Sequence, residues 1–401
     1  MQTYLIDGIR TPIGSFGGSL STVRADDLAA HVLAELLKRN PQLDPASITD
    51  VILGCVNQAG DDNRNVARMA LLLAGLPFSV PGETVNRLCA SGMSAIVNAQ
   101  RAIANGDGDV YIAGGVEHMT RGPYVISKSA KPFGTDAQMY DSSFGWRFVN
   151  PRMQTMYGTD AMGITAENLV EIHKISREAQ DQFAYNSQMK AAKAQTAGRF
   201  AEEIFPVPIS VGKGDTQLFA QDEFIKGGTT VEKLAQLRPA FKKEGGTVTA
   251  GNSSGLNDGA IVVMLASEKA VKEQGFVPKA RIVASAVVGV EPRIMGIGPV
   301  PATQKVLQKA GLTLQDIDII ELNEAFAAQS LACIRSLGLE DDDPRINPNG
   351  GAIALGHPLG MSGARITYSA ALELQKQQKR YALATMCIGV GQGYAVIIER
   401  V

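Results

Sequence analysis

The stretch Thr84-Val85-Asn86-Arg87-Leu88-Cys89-Ala90-Ser91-Gly92-Met93-Ser94-Ala95-Ile96 changes character at its centre. Small residues follow Cys89, and then Ile96, Ala99 and Ile103 recur at helical spacing. The reading is a strand, a cysteine, and the start of a helix. Outward from it, Val51-Ile52-Leu53-Gly54 and Val110-Tyr111-Ile112-Ala113 read as buried strands, and Tyr4-Leu5-Ile6 as another. Asp26 to Asn40 reads as a helix, with Leu28, Val32, Leu33, Leu36 and Leu37 on one face. Its acidic first turn, Lys38 and Arg39 in its last turn, and Pro41 beyond agree with that. Strands alternating with helices predict an α/β fold.

The two ends of the chain resemble each other. Asp50-Val51-Ile52-Leu53 matches Asp318-Ile319-Ile320-Glu321, Ser91-Gly92-Met93 matches Ser362-Gly363-Ala364, and Val110 to Gly115 matches Tyr381 to Thr385. The matches keep their order and the spacing drifts by only a few positions, which predicts a duplicated α/β unit. The middle breaks this rhythm. A helical stretch is expected from Thr165 to Ala197, with Thr165 as its N-cap and Glu167 in its first turn, and an irregular Gly/Pro-rich stretch from Pro206 to Gly228. The expected organisation is 1–117 plus 251–272 as one half, 118–250 as an inserted cover, and 273–401 as the second half. The site then lies between the halves, under the cover.

Composition narrows the function. The formal net charge is -2 with no long basic stretch, which argues against a nucleic-acid partner. No apolar run approaches membrane-spanning length, and the first residues show no secretory pattern, so a cytoplasmic protein is expected. Four cysteines in 401 residues, none in a CxxC pair, suit a reducing compartment, and with four histidines a metal site has little support.

Four places carry chemistry. Cys89 reads either as an activated nucleophile or as a buried structural cysteine; a free thiol has a pKa of about 8.5, and a helix N-terminus lowers it. His357 stands in the glycine-dense run Asn349-Gly350-Gly351 to Gly356-His357-Pro358-Leu359-Gly360, at the place matching the Cys89 loop in the other half. Cys387 ends a strand and opens Gly389-Val390-Gly391-Gln392-Gly393, whose backbone N–H groups suit an oxyanion; a phosphate loop is the rival reading, without its lysine. Asn323, in Glu321-Leu322-Asn323-Glu324-Ala325-Phe326, ends another strand, either as a cap or as a holder of a water or substrate oxygen. His31, His118 and His173 read as structural.

Taken together these four blocks, in this order, resemble the thiolase family over the whole chain, as do Gly8-Ile9-Arg10-Thr11-Pro12 and Gly251-Asn252-Ser253-Ser254-Gly255-Leu256-Asn257-Asp258-Gly259. The resemblance implies the thiolase fold, two βαβαβαββ-type halves in five layers (αβαβα) with an inserted loop domain. It also implies an acyltransferase using coenzyme A as cosubstrate, no permanent cofactor or metal, acyl-CoA partners and a homotetramer. Residue by residue, Cys89 resembles the acyl-accepting nucleophile and His357 its activator. Cys387 resembles the acid/base at the α-carbon, and Asn323 the residue positioning a water. The N–H groups of Cys89 and Gly389 resemble an oxyanion hole. Ser254 resembles a pantetheine contact, and Lys226 and Phe241 fall near contacts to the nucleotide end. Val390 departs from a frequent glycine, and Ala161 from a histidine that some members carry beside the substrate.

Within the family the segments Gly60 to Arg68, Arg121-Gly122-Pro123-Tyr124-Val125 and Gly145-Trp146-Arg147-Phe148-Val149 are most similar to thiolases acting on 3-oxoadipyl-CoA in aromatic-acid breakdown. That substrate ends in a carboxylate, so Arg147, and next Arg121, are the candidate partners; as the rival reading, both are surface or subunit contacts. Alternatives are an acetyl-CoA acetyltransferase or broad-chain thiolase, and a non-catalytic acyl carrier, which is expected to lack Cys89, His357 or Cys387.

Overall fold

The computed structural model describes residues 2–212 and 214–401. Its framework is a ten-stranded sheet. From one edge the strands run Ile319–Leu322, Tyr381–Ile388, Gln392–Arg400, Ala280–Gly289, Thr3–Arg10, Asn257–Ser267, Val110–His118, Asp50–Gly54 and Gly82–Val85. The two-residue strand Gly14–Ser15 pairs beside Asn257–Ser267. The order is mirrored about its middle. There Thr3–Arg10 meets Ala280–Gly289 through only Tyr4 opposite Arg281 and Leu5 opposite Ala280.

Each half is built the same way. In the first, strands Thr3–Arg10, Asp50–Gly54 and Gly82–Val85 alternate with helices Ala25–Arg39, Val66–Leu73 and Ser91–Asn105, and then Val110–His118 and Asn257–Ser267 close it. In the second, Ala280–Gly289 and Ile319–Leu322 alternate with Pro299–Ala310 and Ala327–Ser336 before helix Leu359–Gln377 and the hairpin Tyr381–Ile388 with Gln392–Arg400. The third strand of this half has shrunk to a single bridge between Ile320 and Ile346. The matched segments of the two ends thus occupy equivalent places in the sheet.

Burial explains the layers. Strands Val110–His118 and Asn257–Ser267 are buried at every residue, as strands covered on both faces must be. Helix Leu359–Gln377 is buried all round from Gly360 to Leu374 and packs on helix Ser91–Asn105, so these two helices form a central layer. Small residues let them approach: a Cβ on Gly363 would meet the Met93 backbone nitrogen at 2.6 Å.

Two expectations about the middle are corrected. The stretch from Thr165 to Ala197 is two helices, Met162–His173 and Arg177–Thr196, broken at Lys174 with φ 54°. Thr165 does not cap; it lies inside the first helix and its hydroxyl donates to the Met162 carbonyl at 2.6 Å. The actual cap with a side chain is Ser176, whose Oγ accepts from Ala179 N. The stretch after Pro206 is not irregular but holds a hairpin, Val207–Gly212 with Asp215–Phe219. Most of its residues are exposed and only Val207 and Phe219 are buried, so it carries no apolar run or alternation to read as strand. Among the described residues no helix is long and apolar enough to cross a membrane.

Candidate active site

Cys89 sits on a turn too tight for ordinary backbone. Strand Gly82–Val85 must reverse into helix Ser91–Asn105, and Leu88 takes φ 47° to do so. A non-glycine residue there costs roughly 1–3 kcal/mol, and surrounding bonds hold it. Asn86 Oδ1 accepts from Leu88 N at 2.9 Å, and Ser91 Oγ accepts from Arg87 N at 2.8 Å while donating to the Leu88 carbonyl at 2.7 Å. The partly buried thiol receives backbone N–H groups from Gly389 and from Cys89 itself. Burial nevertheless dominates and raises its pKa, with Glu117 adding to the rise. The expected lowering at a helix start is therefore overturned by desolvation. Cys89 is a thiol needing a base, with donors already placed for the charge that follows.

His357 can be that base. It follows the short helix Ala352–Leu355 and precedes Leu359–Gln377; its N–H is held by Asn257 Oδ1 at 2.9 Å. Nδ1 lies 2.7 Å from Ser362 Oγ, which itself donates to the Pro358 carbonyl at 2.9 Å. The hydroxyl proton is thus committed, so Nδ1 carries the imidazole proton and Nε2 the lone pair. Asn323 Nδ2 stands 3.4 Å from Nε2, the donor side such a tautomer accepts. Burial, and then the charge of Arg365, push the His357 pKa down to about 3. The ring is neutral at physiological pH.

Asn323 follows strand Ile319–Leu322, with its backbone N–H on the Thr385 carbonyl at 3.0 Å. Its Oδ1 is buried with no partner among the described residues, which suits a water or a substrate oxygen. Glu324 locks this strand end to the histidine segment. It accepts from Ser187 Oγ at 2.7 Å, Asn347 Nδ2 at 2.7 Å and Ile353 N at 3.2 Å.

Cys387 lies at the end of strand Tyr381–Ile388, opposite Gly393, and is buried among Ala166, Met295, Phe326 and Ala328. Burial raises its pKa well above the usual value, and the neighbouring Cys89 adds to the rise. After it, Val390 adopts φ 63° and Gly391 φ 85° to turn the hairpin. Cys89, Gly389 and Cys387 thus share one locus, and Asn323 joins His357.

The proposed coenzyme contacts are spread over two places. Lys226 lines a cavity of about 250 Å³ with Lys233, Thr229 and Phe224, and its ammonium stands 5.2 Å from the Phe224 ring centre. Phe241 is not among that cavity's lining residues; it meets Phe326 edge-on at 6.1 Å. Ser254 donates its N–H to the Ala325 carbonyl at 3.0 Å, and the next residue, Gly255, packs closely on Phe224 of the Lys226 cavity. In the cover, Arg121 is paired with Asp61 and donates to the Ser21 carbonyl. Arg147 donates only to the Ser142 carbonyl, at 3.2 Å, and has no carboxylate partner among the described residues. Its neighbour Trp146 lines a small cavity with Tyr157, Met162 and Val390.

Sequence reading missed Ser362, Asn257 and Glu324 as parts of the site. Ser362 had a signal, since it matches Ser91 in the repeated half. Asn257 and Glu324 stand in blocks that the sequence marked, but the partners they hold lie in distant segments and gave no signal.

The thiolase N-terminal domain family matches residues 3–269 and the thiolase C-terminal domain family residues 276–400. The chain is 60% identical over 400 residues to the 3-oxoadipyl-CoA/3-oxo-5,6-dehydrosuberyl-CoA thiolase of Escherichia coli, with 100% of both chains covered. It is 58% identical to the beta-ketoadipyl-CoA thiolase of Pseudomonas aeruginosa, over 100% of this chain and 99% of that one. Among solved structures, the Bacillus anthracis acetyl-CoA acetyltransferase superposes with a TM-score of 0.92 at 42% identity, covering 100% of this chain and 99% of the other. Human mitochondrial 3-ketoacyl-CoA thiolase gives the same values. With the two family domains matched in order, over residues 3–269 and 276–400, across a fold built of two like halves, the chain belongs to the thiolase family.

Proposed function

We infer that the chain is an acyltransferase that cleaves 3-oxoadipyl-CoA with coenzyme A, giving succinyl-CoA and acetyl-CoA, at the end of aromatic-acid breakdown. The observation that carries the chemistry is a Cys89 thiol held by two N–H donors beside Cys387, with the loop of a neutral His357 packed against the helix that Cys89 precedes. His357 Nε2 takes the Cys89 proton, and Cys89 Sγ attacks the 3-oxo carbon. The N–H groups of Cys89 and Gly389, which already face Sγ, take up the oxyanion. Its collapse breaks the C2–C3 bond and leaves the succinyl group on Sγ. The departing acetyl-CoA enolate is stabilised by protonated His357 and an Asn323-held water, and Cys387 Sγ–H protonates its C2. The Cys387 thiolate then takes the proton of an incoming coenzyme A thiol. That thiol captures the succinyl group, and His357 returns its proton to Cys89.

The 118–250 segment, as the cover over the acyl chain, belongs to the same reading, as do the two flanking halves. So do coenzyme A contacts at Ser254, Lys226 and Phe241, a homotetramer and a cytoplasmic setting. Arg147 is the favoured partner of the distal carboxylate, because Arg121 is already paired with Asp61. A buried carboxylate without such a partner would be costly, so the uncharged analogue should fare badly at this site. The test is kcat/KM for 3-oxoadipyl-CoA against 3-oxohexanoyl-CoA. A ratio of roughly 10² or more is expected. Equal values would instead mark a broad-chain thiolase.

A further inference from the structure

Glu117 is buried at the end of strand Val110–His118, and the chemistry above does not use it. Its carboxylate accepts three backbone N–H groups from two separate loops. Oε1 accepts from Asn57 at 3.0 Å; Oε2 accepts from Val56 at 3.0 Å and from Gly360 at 2.9 Å. Val56 and Asn57 follow strand Asp50–Gly54 in the nucleophile's half. Gly360 closes the His357 loop of the other half. One oxygen therefore bonds both halves at once.

Around this bond the halves interlock with no room to spare. A Cβ on Gly360 would run into the Val116 carbonyl, and would meet the Gly54 carbonyl at 2.7 Å and Glu117 Oε2 at 3.0 Å. The Gly360 carbonyl in turn faces Gly115, and a Cβ on Gly92 would meet it at 2.6 Å. Gly92 is three residues beyond Cys89, and Gly360 three beyond His357. The two loops that carry base and nucleophile are thus docked on each other at the same spot.

We propose that Glu117 is a positioning residue: its carboxylate latches the His357 loop to the Cys89 half and sets the alignment of Nε2 with the thiol. This rests on the thiolase reading of Cys89 and His357. The latch is strongest in the ionised form, whose charge strengthens all three bonds; protonation gives one oxygen to an O–H donor and leaves weaker acceptors. Burial pushes Glu117 up to about 7, against the pull of the three N–H groups. The other ionisable groups facing it are Asp62 and Cys55 on the adjoining loop, and Cys89. Cys55 is raised well above its usual range, and both Cys89 and Cys55 titrate on the alkaline side, so neither supplies an acid limb near 7.

The experiment follows single-turnover acylation of Cys89 by acetyl-CoA, which needs no deprotonation of coenzyme A. In the wild type the rate should fall as pH drops through about 7. A flat profile between pH 6 and 8 overturns the proposal, whatever any variant does. Glu117→Gln should slow acylation by about tenfold or more, leave KM for coenzyme A unchanged, and remove the acid limb. Glu117→Asp keeps the charge but draws it back from Gly360, and should also slow the step. The decisive arm is the pair Glu117→Gln with His357→Ala: the double variant should be no slower than His357→Ala alone. Independent, multiplying losses would make Glu117 a general structural residue and sink the proposal. The thiolase reading fails separately, if no variant and no wild-type sample acylates Cys89 at all.

Discussion

Cys89 and Cys387 are the same side chain in opposite surroundings. Cys89 stands at the start of a helix on a strained turn, partly buried, with two N–H groups on its sulfur. Cys387 sits in a strand, buried among Ala166, Met295 and Phe326. Burial raises both thiols, but only Cys89 has protein donors from two positions set to receive charge. A nucleophile must carry developing charge repeatedly, whereas an acid/base need only pass one proton to a carbon held against it. The proposed division of labour, Cys89 as nucleophile and Cys387 as acid/base, rests on that difference in surroundings.

The sharpest way to break this comparison is to remove each thiol in turn. Cys89→Ala should abolish turnover while leaving coenzyme A binding nearly intact, measured by steady-state cleavage and by calorimetry. Residual turnover comparable to wild type would end the assignment. Cys387→Ala should stop exchange of the acetyl-CoA α-protons with solvent deuterium, yet still permit acylation of Cys89. An unchanged exchange rate would mean that the buried thiol is only packing.

Removing what activates Cys89 should cost less than removing it. His357→Ala should slow acylation by about 10²–10³-fold, the usual loss for one such group. Normal acylation would mean that the N–H donors suffice alone. Arg147→Met should erase most of the preference for 3-oxoadipyl-CoA over 3-oxohexanoyl-CoA, about 10²-fold, while sparing the neutral substrate. A retained preference would shift the role to another group.

The smallest effect concerns the turn after Cys387. Val390 is β-branched and held at φ 63°, which costs roughly 1–2 kcal/mol. Val390→Gly relieves that strain but adds about 0.5–1 kcal/mol of unfolded-chain freedom. The expected net change lies between about zero and a gain of about 1.5 kcal/mol, read as an equal or slightly higher Tm. A marked loss would show that the valine's packing beside Trp146 outweighs the strain.

Much of this was legible in the sequence, for identifiable reasons. Val110 to Ala113 lies in a strand buried on both faces and so reads as a continuous apolar run, and the duplication anticipated two like halves, though not the order of the strands. The loops of Cys89, Asn323, His357 and Cys387 announced themselves through glycine density and strand-end position. The cover was harder: its helices Met162–His173 and Arg177–Thr196 are separated by a single left-handed lysine, which periodicity does not mark. The ionisation of the site was not legible at all. The depressed His357 and the raised Cys89 follow from burial in the assembled fold, and local rules about helix starts gave the wrong sign for the thiol.

The most direct test of the account mixes the enzyme with 3-oxoadipyl-CoA in the absence of free coenzyme A, quenches it within the first turnover, and maps the peptides by mass spectrometry. The account predicts one succinyl group per chain on Cys89, with one equivalent of acetyl-CoA released. A succinyl group on Cys387 or another cysteine, or release of acetyl-CoA with no acylated peptide, would contradict it.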